Sequence, residues 1–336
     1  MSFRKLLPLA LALVLILATS VFAKENLKVA VGDPEDSEQA VAARAFKKYV
    51  EEKTNGEVEI SLFYGGQLGD ESEAFRNVQK GSLPFAVGGI ANLVPFEKRL
   101  GILNLPYLFE NLDEVVVGTN GKAAEVLQSF ALKAGFRILC WTYTDFRYIS
   151  NSKHPIKKMS DMNDLKFRVP QSPVLIEAYK AFGGSPTPIS WAETFTALQQ
   201  GVVDGQCYGY IGFKSMKFNE ANQKYLTEVH YTYQLQPLVM SERFYKKCKP
   251  ELQKIFVDGG IYAQAEVLEY QKTQAQAAKD ELIAKGLIVD QLEDEAVWKE
   301  AALKKVWPKV VNDVGGADTI NEYLKAMGKE PWQPGK

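Results

Sequence analysis

The chain has 336 residues, with 40 Lys and Arg set against 41 Asp and Glu, and the two signs are interspersed. A formal charge of −1 gives no electrostatic footprint for nucleic acid, and the length exceeds what one core usually fills, so two domains are expected. The three cysteines (Cys140, Cys207, Cys248) and two histidines (His154, His230) lie far apart. They leave open either one disulfide with one free thiol or three buried thiols, and they offer no metal-ligand spacing. No HExxH, GxSxG or Walker loop is present, so neither an enzyme nor a cofactor or metal is expected.

Residues 1–23 read as a secretory signal peptide. Arg4 and Lys5 precede an apolar run from Leu6 to Phe22, and Val21-Phe22-Ala23 offers a small-residue cleavage site before Lys24. A soluble, exported mature chain is therefore expected. Leu27–Val31 reads as a buried strand. Ala42, Ala45, Phe46, Tyr49 and Val50 follow at helical spacing, and Val58, Ile60 and Leu62 alternate as a second strand. This βαβ unit implies a parallel sheet. Glu71–Lys80 reads as a helix and Pro84–Gly88 as a strand entering a glycine turn. Farther on, 136–141 and 147–150 read as strands, and Pro173–Phe182 as a helix capped by Ser172. Ser190-Trp191-Ala192-Glu193 has the capping-box pattern, and Val202-Val203 reads as a strand start. A long helical stretch over about 252–285, interrupted or kinked near Gly259-Gly260, precedes two amphipathic stretches at 295–311 and 319–327.

Within LKFRVPQSP, residues 165–173, Leu165, Phe167 and Val169 alternate with Lys166 and Arg168. Pro170 and Ser172-Pro173 then end a strand and start a helix. Arg168 thus stands at the carboxyl end of a strand. It is either a surface arginine or, because open α/β sheets bind ligands at strand ends, a holder of anions.

Seven motifs occur in order. They are Gln67-Leu68-Gly69, Asn104-Leu105-Pro106-Tyr107-Leu108-Phe109, Arg147-Tyr148-Ile149-Ser150-Asn151, the Arg168-Val169-Pro170 strand end, Gly183 to Pro188, Trp191-Ala192-Glu193 and Val203-Asp204-Gly205-Gln206. In this order, behind a signal peptide, the chain resembles the substrate-binding proteins of tripartite ATP-independent periplasmic (TRAP) transporters, the DctP type, over essentially its whole mature length. The resemblance implies an α/β two-domain flytrap fold crossed by a long hinge helix. Domain I would be 24–144 plus 234–273, and domain II 145–233 plus 274–336. It implies a periplasmic receptor that delivers a small organic acid to membrane permease subunits. By the same resemblance Arg168 grips the ligand carboxylate and Arg147 helps. A guanidinium matches a carboxylate with two parallel hydrogen bonds.

The chain departs from the family after Gln206. Many members continue Glu-Asn-Pro, with the Asn on the ligand, but here Cys207-Tyr208-Gly209 follows. Trp191 and Tyr208 are then expected as ring walls. Where sialic-acid binders carry polar contacts this chain has Gly32 and Gly89, with Asn92 a turn farther on; Tyr143, Tyr233 and Gln236 are additional candidates. A pocket with rings on one wall and glycines on the other predicts a monocarboxylate with a bulky or aromatic group. The alternatives are a C4-dicarboxylate, a sugar acid, or a sensing module that signals to a membrane receptor. An exported two-domain enzyme would need a nucleophile–base pair, which two distant histidines do not supply.

Overall fold

A computed structural model describes residues 25–333, so the expected signal peptide and its cleavage site lie outside the described residues. Among the described residues, eleven strands form two sheets. They are β1 (Glu25–Val31), β2 (Val58–Phe63), β3 (Phe85–Val87), β4 (Phe136–Phe146), β5 (Ile149–Asn151), β6 (Lys166–Val169), β7 (Ser185–Pro188), β8 (Gly205–Cys207), β9 (Tyr225–Glu228), β10 (Tyr233–Ser241) and β11 (Ile288–Gln291). The first sheet runs β2-β1-β3-β10-β4 and the second β11-β9-β5-β8-β6-β7. The chain crosses from the first lobe to the second between β4 and β5 and returns between β9 and β10.

The opening βαβ unit pairs β1 with β2 in parallel, as its alternation predicts. Its helix, Glu38–Lys53, is capped by Ser37, whose hydroxyl accepts from the Ala40 amide, and it buries Ala42, Ala45, Phe46 and Val50. The helix Glu71–Lys80 starts on Asp70, whose side chain accepts from the Glu73 amide, and ends on Gly81 at φ 81°, a left-handed cap that suits glycine. β10 sits between β3 and β4, antiparallel to both, and all nine of its residues are buried.

Three local expectations change. The pattern at 190–193 does not cap a helix: Ser190 donates to the Glu193 carboxylate instead of accepting a backbone amide, and the helix starts at Thr194. Val202 and Val203 lie in a turn, and the strand they were expected to open starts at Gly205. The long helix runs unbroken from Pro250 to Ala284. Gly259 and Gly260 do not interrupt it. A Cβ on Gly260 would strike the Leu139 carbonyl of β4, and one on Gly259 would press on Tyr49 and Phe46. The glycines let the helix lie close against the first sheet. All three cysteines are free thiols, with Cys140 and Cys207 buried.

Candidate ligand-binding site

The carboxyl ends of β1, β3, β6 and β8 meet where the two lobes face each other. Between them lies a small, nearly closed cavity, lined by Glu71, Gly89, Ala91, Asn92, Arg147, Arg168, Pro170, Trp191, Gln234 and Gln236. Of the residues proposed from sequence, Arg168, Arg147, Trp191, Gly89, Asn92 and Gln236 are brought together here. Gly32, Tyr208 and Tyr233 are not on this wall.

Arg168 is only 3% exposed. Its Nε donates to the Ile189 carbonyl at 3.0 Å, and its guanidinium carbon lies 5.2 Å from the centre of the Trp191 ring. Arg147 is also buried, and its Nη1 donates to the Cys207 carbonyl (3.4 Å) and Sγ (3.2 Å). Neither guanidinium has a carboxylate at ion-pair distance among the described residues. Burial, and then the neighbouring Arg147 charge, bring the Arg168 pKa down to about 10, so it stays charged at neutral pH. Two buried like charges without a counter-ion are costly, and an anion placed between them relieves the cost. The surface-arginine alternative for Arg168 is thereby excluded.

The opposite wall differs from the expectation. Gly32 and Gly89 do not leave open space for a bulky ligand, because Glu71 fills it. A Cβ on Gly32 would run into the Glu71 carboxylate, and one on Gly89 would come within 3.4 Å of Glu71 Oε2. Glu71 is held by Gln39 Nε2 (2.9 Å), the Gly89 amide (2.9 Å) and Asn92 Nδ2 (2.5 Å). The wall is polar, with Glu71, Asn92, Gln234 and Gln236 side by side. Gln234 Oε1 and Gln236 Oε1 are buried without a protein partner.

The ring wall is also spoken for. Trp191 stacks on Tyr208 with centroids 5.0 Å apart and planes at 19°, and the Phe218 ring meets it edge-on at 5.8 Å. With Arg168 over it as well, Trp191 has protein neighbours on three sides. Tyr208 turns its hydroxyl to Asp33 Oδ2 (2.8 Å), and Trp191 Nε1 donates to Asp33 Oδ1 (2.7 Å). Tyr233 packs against Phe146, with its hydroxyl buried and unpartnered. Burial first, then the Glu71 charge, push the Asp33 carboxyl up to about 7 against the pull of its hydrogen-bond donors. Burial likewise holds Glu38, on the adjacent helix, well above the usual carboxylate range.

Asp33, Glu71 and Gln234 were missed from the sequence. Asp33 was read only as a strand breaker in Asp33-Pro34, although it stands just past the carboxyl end of β1, much as Arg168 stands at the carboxyl end of β6. Glu71 was read only as a helix start. No local pattern reports that its carboxylate folds back over Gly32 and Gly89.

An outer cleft shares Glu71, Asn92 and Trp191 with the inner cavity and is rimmed by Asp70, Glu73, Arg76, Gln171 and Ser190. No helix among the described residues is long and apolar enough to cross a membrane, and no group of three or more His, Cys, Asp or Glu there could hold a metal ion.

Comparison with known proteins fits this geometry. The sequence profile of bacterial extracellular solute-binding protein family 7 matches residues 30–313. A solute-binding protein of Verminephrobacter eiseniae is 35% identical over 272 residues, covering 80% of this chain and 79% of its own. A TRAP periplasmic solute-binding protein from a Polaromonas species, solved with D-erythronate bound, superposes with a TM-score of 0.84 at 28% identity, covering 91% of this chain and 99% of its own. Another, from Sulfurospirillum deleyianum with bound succinate, gives 0.82 at 27% identity, covering 90% and 99%. The chain therefore belongs to bacterial extracellular solute-binding protein family 7, the DctP-type receptors of TRAP transporters, whose members bind small organic acids for transport rather than catalyse a reaction.

Proposed function

We propose that this protein is a periplasmic receptor that binds a small hydroxylated monocarboxylate and passes it to TRAP permease subunits in the membrane. The observation that carries the reading is the pair of buried guanidinium groups, Arg168 and Arg147, without a carboxylate partner among the described residues. A ligand carboxylate supplies the missing charge, and Arg168 can take it in a two-pronged grip because only its Nε is used by the protein. Opposite the arginines, Glu71, Asn92, Gln234 and Gln236 offer acceptors and donors to hydroxyl groups. A buried polar group left without a partner costs about 1–3 kcal/mol, so a ligand that satisfies Gln234 Oε1 and Gln236 Oε1 is favoured over one that only fills space. D-Erythronate, bound by the Polaromonas relative, has this chemistry.

A C4-dicarboxylate such as the succinate of the Sulfurospirillum relative is the second reading. The Arg pair favours it, but its far carboxylate would meet Glu71. A thermal-shift screen of D-erythronate, succinate and phenylacetate separates the classes. Stabilisation by the hydroxy acid is expected; stabilisation by succinate or phenylacetate alone would overturn the ligand class while leaving the receptor role. We also propose export with cleavage after Ala23, so that N-terminal sequencing of the exported protein begins at Lys24. Sequence beginning at Met1 would overturn it.

A further inference from the structure

One side chain of the first lobe that no ligand argument requires takes two hydrogen bonds from the second. Asp33 follows β1 in the first lobe and is 1% exposed. Its loop is fixed from within that lobe: the Gly32 and Asp33 amides both donate to Gln39 Oε1, at 2.9 and 3.1 Å, and the Gly65 amide donates to the Asp33 carbonyl. Its carboxylate, by contrast, is gripped by the second lobe. Trp191, ahead of the helix Thr194–Gln199, donates from Nε1 to Oδ1, and Tyr208, just past β8, donates from its hydroxyl to Oδ2. Gln236 Nε2, on β10, braces the pair by donating to the Tyr208 oxygen at 2.7 Å. Three residues on, Ser215 of the second lobe donates to Asp36 Oδ1 at 2.6 Å. The loop 33–36 is thus one place where the second lobe takes hold of the first.

An indole N–H can only donate, so buried Trp191 needs an acceptor, and Asp33 supplies it. Trp191 in turn lies against the Arg168 guanidinium. We propose that Asp33 is an interdomain latch: through Trp191 and Tyr208 it holds the second lobe shut against the first, and it sets Trp191 beneath Arg168. Closure and presentation of the guanidinium then become one event. The link to Arg168 rests on the acid-receptor reading; the latch itself does not. Asp33 is a positioning residue, since it reaches the ligand's arginine only through the indole.

The test measures lobe separation directly. Spin labels at Arg76→Cys and Gln171→Cys sit on facing rims of the outer cleft, in a Cys248→Ser background that removes the half-buried native thiol. Distance distributions are recorded by pulsed electron resonance on the purified protein without added acid, with circular dichroism to confirm folding. The Asp33 protein should show a short-distance population. Asp33→Ala, which removes both acceptors, should cut that population at least threefold. Asp33→Asn, which still accepts from Trp191, should fall between. Identical distributions for all three, or no short-distance population in the Asp33 protein, would overturn the latch. If Asp33→Ala does not fold, Asp33→Asn alone decides. Because no ligand is added, the outcome does not depend on which acid the receptor takes.

Discussion

Arg168→Lys isolates the geometry of the clamp from its charge. In the native site one of the five guanidinium N–H groups is spent on the Ile189 carbonyl at 3.0 Å, and the plane rests against Trp191. The remaining four are free to meet a carboxylate as a fork. Lysine retains the positive charge, but its ammonium is a point donor on a flexible stem, with no fork and no second anchor to Ile189. A carboxylate that keeps one charge-assisted bond and loses the other forfeits about 1.5–3 kcal/mol. At about 1.4 kcal/mol per decade, that is roughly a 10- to 150-fold rise in Kd. Isothermal titration with the best acid from the thermal-shift screen measures it, and circular dichroism with a melting curve shows whether the variant folds. A folded variant whose Kd stays within about threefold would show that Arg168 does not grip the ligand, and the site would have to be rebuilt around Arg147.

Glu71→Ala opens the space over Gly32 and Gly89 and removes the acceptor that Gln39, Gly89 and Asn92 surround; binding of a hydroxy acid should weaken about tenfold or more while succinate gains, and an unchanged preference would count against Glu71 as a selector. Asp33 faces Glu71, Glu38, Trp191, Tyr208 and Gln236, and its folded pKa of about 7 lies above the ordinary aspartate value, so the stability it contributes is complete below about pH 4 and is lost as pH rises through 7. The melting-temperature advantage of the wild type over Asp33→Asn should therefore shrink from pH 4 to pH 8; a constant or growing advantage would contradict the assignment. Gly260→Ala places a methyl group against the Leu139 carbonyl and should cost about 1–3 kcal/mol in urea unfolding, whereas Ile261→Ala, on the exposed face of the same helix, should cost little. Equal losses at the two positions would refute the close-packing account.

Local periodicity carried the first βαβ unit, β6, the helices at 71–80 and 173–181, and the position of Arg168, because each rests on neighbours in sequence. β10 was not legible. A central strand covered on both faces shows no alternation, and Pro237 reads as a breaker. It is tolerated because the ladder with β3 runs only from Leu238 to Met240, so the position that lacks an amide falls outside it. The glycine wall was misread for a related reason. Glycines were taken as empty space, whereas the volume beside Gly32 belongs to Glu71, 39 positions away in the chain. Long-range filling of this kind leaves no mark on the residues it fills. Asp33 escaped notice because Asp-Pro is an ordinary turn, and the donors that give it meaning lie at 191 and 208.

The helix Pro250–Ala284 behaves mechanically as a cantilever. At about 1.5 Å per residue its 35 residues form a rod of about 52 Å. One end is clamped: Phe256, Gly259, Gly260, Ala263 and Val267 are buried against the first lobe, with glycine allowing near-backbone contact at Leu139. The other end is held to the second lobe by buried Ala278 and Leu282 and by the ion pairs of Lys279 with Glu228 and of Glu281 with Lys214. Between these grips, residues 272–277 are exposed except for half-buried Ala275. That span is therefore the least braced part of the rod. The clamp rests on apolar packing, whereas the tip is held in part by ion pairs that salt screens, so the two grips differ in their dependence on ionic strength.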